Sequence, residues 1–293
     1  MHKITTLKEP LLRVGNILGE CPLWHPVEKR LYWVDIEKDM LFRLNPLDHA
    51  LEKFNLGVKT GCFGFRGNGG LILATELGFA FWSEENSRPI KIMDLYEPNS
   101  GIMMNDGRVD LQGRLWAGSK GQPAKAGLFL LNPQLSHRQV LDGVTIANGI
   151  DWSLDARTCY FTDSGTHTIF RYRFNPEDGN LSDPEIFFSL AGSLYWGTPD
   201  GLCVDSGGNV WSAIWDGGKI LQLSPDGEIQ QELLLPVTRP TSIAFGGEDL
   251  KDLYITSAST ELTPQELSTQ PFAGDLFVFH TEIPGRQSHF FPG

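Results

Sequence analysis

A sequence repeat that occurs six times along the 293-residue chain constrains the fold more than any other feature. Each copy has a turn with Gly or Asp, a strand of alternating apolar residues, and a second strand ending in an apolar–aromatic pair. The first apolar residues of the six copies are Leu31, Leu71, Leu115, Cys159, Val210 and Leu253. A period of about 40–50 residues is typical of propeller blades with three or four short strands each. No segment has the helical periodicity that a βαβ unit requires, so the sequence predicts an all-β, six-bladed β-propeller.

The last copy indicates how the ring closes. It begins near Thr241 and leaves little room for an outermost strand. Residues 11–17 could supply that strand, so we expect the N-terminal segment to complete the last blade and to leave no free sheet edge. On this interpretation residues 1–293 form a single domain.

The charge balance and the cysteines limit the partners and the compartment. Lys and Arg number 24 and Asp and Glu 36, a net charge of −12, and such a surface repels nucleic acid and anionic membranes. No apolar run approaches the ~20 residues that a membrane span needs, and the first ten residues lack the apolar core of a signal peptide. The four cysteines are scattered, as free thiols of a cytoplasmic protein would be. We expect no nucleic-acid or membrane partner, and the sequence leaves the oligomeric state open.

Another short strand precedes each copy, and its first residue is chemically unusual. In a propeller this strand is innermost and lines the central channel. The six first residues are Glu20, Gly61, Asp106, Asn148, Asp200 and Thr241. Carboxylates that converge on a partly dry site repel one another unless a cation neutralises them. The donors are all oxygens, which favours Ca²⁺, Mg²⁺ or Mn²⁺ over Zn²⁺ as the bound ion.

A simpler interpretation of the same pattern is that these residues begin strands. Asn-Gly and Asp-Gly are common turn dipeptides, and three of the six positions have them. Glu20 is not a turn residue type, and it favours a metal site over strand capping.

Four stretches of the sequence resemble the signature motifs of one family. They are residues 18–24 (LGECPLW), 105–110 (NDGRVD), 147–155 (ANGIDWSLD) and 199–205 (PDGLCVD). In this order they are similar to the SMP-30/gluconolactonase family, which includes regucalcin and bacterial sugar lactonases. The resemblance implies a six-bladed propeller with lactonase activity.

The resemblance also implies roles for particular residues. Glu20, Asn148 and Asp200 would hold the divalent cation, Asp200 would also act as the catalytic acid/base, and Asn105 would contact the substrate. Asp106, which follows Asn105, is a further substrate-binding candidate.

Two other positions bear on the substrate. Ser119, in a hairpin of the third copy, could face the same cleft. Family members that bind gluconolactone usually carry Arg at the position of Met103. Met removes the donors of a guanidinium and leaves an apolar wall, so we expect a lactone less polar than gluconolactone.

These residues together predict hydrolysis of a small, sugar-like lactone to its hydroxy acid. A divalent cation can polarise the lactone carbonyl and acidify a bound water, while Asp200 either removes the proton of the attacking water or orients a water that the cation has activated. Two other classes stay open. One is a non-catalytic propeller that binds Ca²⁺ or a protein, and the other is a six-bladed esterase of the paraoxonase or strictosidine-synthase type.

Overall fold

A computed structural model describes residues 2–194 and 196–293. In these residues the strands form six sheets arranged as the blades of a propeller, which confirms the predicted fold class. The chain starts with β1 (Lys3–Thr6). Blade 1 contains β2 (Gly19–His25), β3 (Arg30–Asp35), β4 (Met40–Asn45) and β5 (Ala50–Asn55). Blade 2 contains β6 (Thr60–Phe65), β7 (Leu71–Thr75), β8 (Gly78–Trp82) and β9 (Ile90–Asp94). Blade 3 contains β10 (Met103–Val109), β11 (Leu115–Lys120), β12 (Ala126–Leu131) and β13 (His137–Val144).

The second half of the chain repeats this plan. Blade 4 contains β14 (Ala147–Trp152), β15 (Thr158–Asp163), β16 (Thr168–Asn175) and β17 (Asn180–Ser189). Blade 5 contains β18 (Thr198–Val204), β19 (Val210–Trp215), β20 (Lys219–Leu223) and β21 (Ile229–Leu234). Blade 6 contains β22 (Pro240–Gly246), β23 (Asp252–Ser257) and β24 (Phe277–His280). A 3-10 segment, Ile36–Lys38, follows β3, and another, Ser164–Thr166, follows β15. A short helix, α1 (Pro264–Thr269), precedes β24.

Burial decreases from the innermost to the outermost strand of a blade. Every residue of β6, β14 and β22 is buried, whereas most residues of the outermost strands β5 and β9 are at least partly exposed. An innermost strand has neighbouring blades on both faces, so it needs an apolar run rather than an alternating pattern. This is why the sequence periodicity is clearest in the middle strands.

The core is a ring of interfaces between neighbouring blades. Trp116 of blade 3 packs edge-on against Trp152 of blade 4, with ring centroids 5.8 Å apart. Trp24 of blade 1 stacks on Tyr254 of blade 6 at 6.1 Å, so the first and last blades are joined by the same kind of contact. Aromatic pairs of this geometry add to the stabilisation from burial alone.

The N-terminal segment contacts two blades. β1 pairs in parallel with β21 and adds a fifth strand to blade 5, which the sequence did not lead us to expect. The backbone amides of Leu11 and Leu12 then donate to the Leu276 carbonyl, 2.8 and 3.2 Å away, directly before β24. The role of residues 11–17 in completing blade 6 stays a prediction, and these hydrogen bonds are compatible with it.

The C-terminal segment crosses the end of the propeller where the innermost strands finish. The Arg286 guanidinium donates to the Asp151 carboxylate of blade 4 at 2.7 Å, and the Phe291 amide donates to the Phe65 carbonyl of blade 2 at 2.8 Å. The four cysteines are buried and unpaired, and no described helix is long and apolar enough to cross a membrane.

Candidate active site

Every innermost strand in the described part of the chain carries a β-bulge beside the position aligned in the sequence. The register against the second strand of the blade shifts between Glu20 and Leu23, Thr60 and Cys62, Met104 and Gly107, Ala147 and Ile150, Pro199 and Leu202, and Pro240 and Ile243. A bulge interrupts the strict alternation of a strand and changes the direction of a side chain. The side chains at the aligned positions can therefore point in a different direction from the core residues that follow them in the strand.

The Asn-Gly and Asp-Gly dipeptides lie inside strands rather than in turns. A Cβ on Gly149 would lie 2.3 Å from the Leu202 amide nitrogen, and a Cβ on Gly201 would lie 2.3 Å from the Ser242 hydroxyl. Both glycines therefore allow adjacent innermost strands to approach closely. Strand capping does not explain these dipeptides.

A cavity of about 590 Å³ opens at the end of the propeller where the innermost strands begin. Glu20, Asn105, Asn148 and Asp200 line it, from blades 1, 3, 4 and 5 respectively. The structure thus brings together four residues that the sequence singled out, although they are far apart in the chain. The volume suits a small ligand.

Three other candidates, Asp106, Ser119 and Met103, are not among the residues that line the cavity. The Asp106 carboxylate is buried and accepts a hydrogen bond of 2.7 Å from the Gly107 amide. The Ser119 side chain is fully buried within blade 3, where its hydroxyl accepts from the Gly127 amide at 2.9 Å and shares a 2.8 Å hydrogen bond with the Tyr96 hydroxyl. The structure does not bring the Ser119 hydroxyl to the cavity, because these partners hold it inside the blade.

The two carboxylates in the cavity are buried and incompletely paired. Among the described residues, Glu20 Oε2 and Asp200 Oδ1 have no hydrogen-bond partner. Burial raises the pKa of Glu20 well above its ordinary value, the charges of Asp200 and Asp106 raise it further, and Lys120 opposes the rise. The pKa of Asp200 is raised well above its ordinary value by burial and by Asp106, again against Lys120, and burial raises the pKa of Asp106 to about 6. A cation between such groups would relieve both the desolvation and the repulsion.

A chain of hydrogen bonds fixes the Asn148 amide. Asn105 Nδ2 donates to Asn148 Oδ1 at 2.8 Å, Asn148 Nδ2 donates to Ser164 Oγ at 2.7 Å, and Ser164 Oγ donates to the Pro199 carbonyl at 2.7 Å. The Asn148 oxygen keeps a second lone pair for a ligand. Ser164 was not predicted from the sequence. Its role depends on the 3-10 turn after β15, for which no motif gave a signal.

The donor set fits a hard divalent cation. Within the described ranges, no three His, Cys, Asp or Glu side chains cluster as a metal site. The candidate set instead combines two carboxylates, Glu20 and Asp200, with the amide oxygen of Asn148. Unpaired carboxylate oxygens and an oriented amide oxygen are ligands that Ca²⁺ accepts, and Mg²⁺ takes similar donors.

The structure also places side chains at the cavity that the sequence did not indicate. Lys120 lines it from the end of β11, and His167 lines it with Nδ1 2.9 Å from the Thr198 hydroxyl. Met103, which the sequence did single out, is not part of the cavity lining; it is half-buried and packs against the core between blades 1 to 3.

Fold and site together define a six-bladed propeller with a carboxylate-lined cavity at one end of its channel. The family model described as "SMP-30/Gluconolactonase/LRE-like region" matches residues 18–259. The chain therefore belongs to the SMP-30/gluconolactonase/LRE-like family.

Individual relatives match over almost their whole length. A 6-deoxy-6-sulfogluconolactonase from Pseudomonas putida is 39% identical over 97% of this chain and 98% of its own length. Regucalcin from Danio rerio is 34% identical over 92% of each chain. The crystal structure of a calcium-binding protein, regucalcin, from Agrobacterium tumefaciens superposes with a TM-score of 0.93 over 99% of both chains, at 22% identity, and shows the same fold.

Proposed function

We propose that the protein is a lactonase that hydrolyses a small, sugar-like lactone with the help of one divalent cation held by Glu20, Asn148 and Asp200. The observation that carries the proposal is a pair of buried oxygens at the wall of one cavity, Glu20 Oε2 and Asp200 Oδ1, for which no residue in the described ranges supplies a hydrogen bond. The relative from Pseudomonas putida, 39% identical over nearly the whole chain, is named as a lactonase and supports the reaction class.

When bound, the cation would polarise the lactone carbonyl and lower the pKa of a water molecule. Asp200 accepts the proton of the attacking water as the new C–O bond forms. When the bond between the carbonyl carbon and the ring oxygen breaks, Asp200 returns the proton to the ring oxygen, and the product is a hydroxy acid. Burial raises the pKa of Asp200 in the cation-free protein. A bound cation would counter that rise, so the loaded site would present the carboxylate form that can accept the proton.

The Asn105 side chain has one atom, Oδ1, that remains available to the substrate. Its Nδ2 donates to the Ala147 carbonyl and to Asn148 Oδ1, both at 2.8 Å, so both amide hydrogens are used. The remaining Oδ1 can only accept a hydrogen bond. We therefore assign Asn105 to a hydroxyl group of the substrate, which fits a sugar-like lactone.

A non-catalytic calcium-binding propeller is the second candidate. It is favoured by the regucalcin structure from Agrobacterium tumefaciens, which is described as a calcium-binding protein. The third class left open by the sequence was an esterase of the paraoxonase or strictosidine-synthase type. The family match is to SMP-30 proteins and does not support that class. A cytoplasmic location stays a prediction.

Hydrolysis of a lactone panel, followed with a pH indicator, tests the proposal. The protein is assayed with added Ca²⁺, Mg²⁺ or Mn²⁺ and after treatment with EDTA, beside the variants Glu20→Gln and Asp200→Asn. We expect activity that depends on the cation and falls by at least about 100-fold in both variants.

The matched control is Glu37→Gln. Glu37 also lines the cavity, but it forms a 2.6 Å ion pair with Lys59. Full activity in EDTA or in Asp200→Asn would overturn the mechanism. Calcium binding without turnover of any lactone would support the binding protein instead.

A further inference from the structure

Lys120 reaches the cavity because of its register in blade 3. It is the last residue of β11 and lies directly opposite Met103 of the antiparallel strand β10. Opposite residues of a pair project to the same face of the sheet, and so do residues two apart in one strand. Lys120 therefore shares a face with Met103, whereas the preceding residue, Ser119, is buried on the other face.

The Lys120 ammonium has no close partner in the part of the chain that the structure describes. Among residues 2–194 and 196–293 it forms no hydrogen bond and no ion pair, and its charge acts on Glu20 and Asp200 only from a distance. By contrast, acidic residues at the mouth of the cavity are paired. Glu37 Oε2 lies 2.6 Å from Lys59 Nζ, and Asp216 Oδ1 lies 2.6 Å from Arg239 Nε. A lysine and a proposed cation site thus face one cavity.

This arrangement has a physical cost. The lysine charge repels any cation bound between Glu20 and Asp200, so it lowers the affinity of that site. An anionic group bound to Lys120 would remove the repulsion and give the ammonium the hydrogen-bond acceptors that it lacks. A neutral substrate would leave both the repulsion and the unpaired donors in place.

We infer that Lys120 determines substrate specificity and that the substrate is a lactone with an anionic substituent, such as sulfonate, phosphate or carboxylate, away from the lactone carbonyl. The inference rests on the proposed lactonase function and names its substrate class. It also changes the expectation from Met103 of a less polar lactone, because a cation stands directly across the strand pair from that methionine.

Two lactones that differ in one anionic group test the inference. The kinetic constants are measured for D-glucono-1,5-lactone and for its 6-phospho derivative, with the wild-type protein, Lys120→Met and Lys120→Arg. We expect the wild type to favour the phosphorylated lactone in kcat/KM by about 10- to 100-fold, the range for a hydrogen bond to a charged group. Lys120→Met loses this preference mainly through a higher KM for the anionic lactone, and Lys120→Arg keeps part of it.

The control is Lys125→Met, which removes the same charge from an exposed position in the same blade, away from the cavity wall. It should leave the preference intact. Equal hydrolysis of both lactones by the wild type, or a preference that survives in Lys120→Met, would refute the inference while leaving the lactonase proposal standing. Failure to hydrolyse either lactone, or any other of the panel, would refute both. If Lys120→Met changes only the affinity for Ca²⁺, measured calorimetrically, Lys120 balances charge and does not select the substrate.

Discussion

Replacing Asp106 by Asn should stabilise the metal-free protein at neutral pH, although it alters a buried residue of the channel. The Asp106 side chain is buried, and burial raises its pKa from 3.8 to about 6. Asparagine has nearly the same shape and keeps an oxygen that can accept from the Gly107 amide. The substitution therefore removes the ionisable group and little else.

The magnitude and the sign follow from the pKa. The folded protein holds the Asp106 proton more tightly than the unfolded chain, so this group does not destabilise the fold below pH 3.8. The penalty grows through the interval up to about pH 6 and is complete above it. At about 1.4 kcal/mol per pH unit, the rise corresponds to roughly 3 kcal/mol. The same ionised group also raises the pKa of Glu20 and Asp200, so its removal makes those carboxylates easier to ionise.

Urea denaturation in the presence of EDTA measures this effect at pH 4.0 and pH 7.5. Asp106→Asn should exceed the wild-type free energy of unfolding by only about 0.6 kcal/mol at the lower pH and by up to about 3 kcal/mol at the higher pH. Asp226→Asn, at an exposed loop position, serves as the control and should differ at neither pH. A difference that is the same at both pH values, or a variant less stable than wild type at pH 7.5, would show that Asp106 is not a destabilising charge.

Two further predictions concern the support of the site and the closure of the ring. Ser164→Ala removes the acceptor of Asn148 Nδ2, so it should weaken cation binding about 10- to 100-fold in a calorimetric titration while lowering stability by only about 1 kcal/mol. An unchanged affinity would show that Asn148 is oriented without this bond. Trp24→Ala opens the contact between blades 1 and 6, where Trp24 is 5% exposed and stacks on Tyr254, and should cost about 3–5 kcal/mol in urea denaturation. A loss below about 1 kcal/mol would mean that the ring does not depend on this contact.

The architecture could be predicted because each blade repeats the same local pattern. Leu31, Leu115 and Val210 mark equivalent middle strands, and every copy supports the same interpretation. The repeat also brings Glu20, Asn148 and Asp200 to one aligned position, but the family resemblance selected these three from the six, and their role as ligands stays a prediction. The position of β1 could not be predicted, because its short, mostly exposed sequence carries no signal for a parallel pairing with β21.

The details of the cavity depend on geometry that a repeat does not encode. Lys120 and Met103 face one another only because of the register between two strands, and a shift of one residue would send Lys120 to the other face. Ser119 shows the same dependence: from the sequence it could have faced the cleft, but alternation along β11 turns its hydroxyl into the blade. Neighbouring residues of one strand can therefore differ entirely in function.

In each innermost strand, the bulge marks the boundary between the core residues that pack the propeller and the residue whose side chain can contribute to the cavity. A side chain directed by a backbone irregularity can be exchanged without disturbing the aromatic contacts between blades. Gly61 and Thr241 are exceptions. A Cβ on Gly61 would lie 2.4 Å from the Asn105 carbonyl oxygen, and the buried Thr241 hydroxyl donates to the Gly19 carbonyl of blade 1. At the acidic aligned positions, Glu20, Asp106 and Asp200, the charge can be altered one blade at a time, so a scaffold of this kind can acquire a new ligand preference by single substitutions.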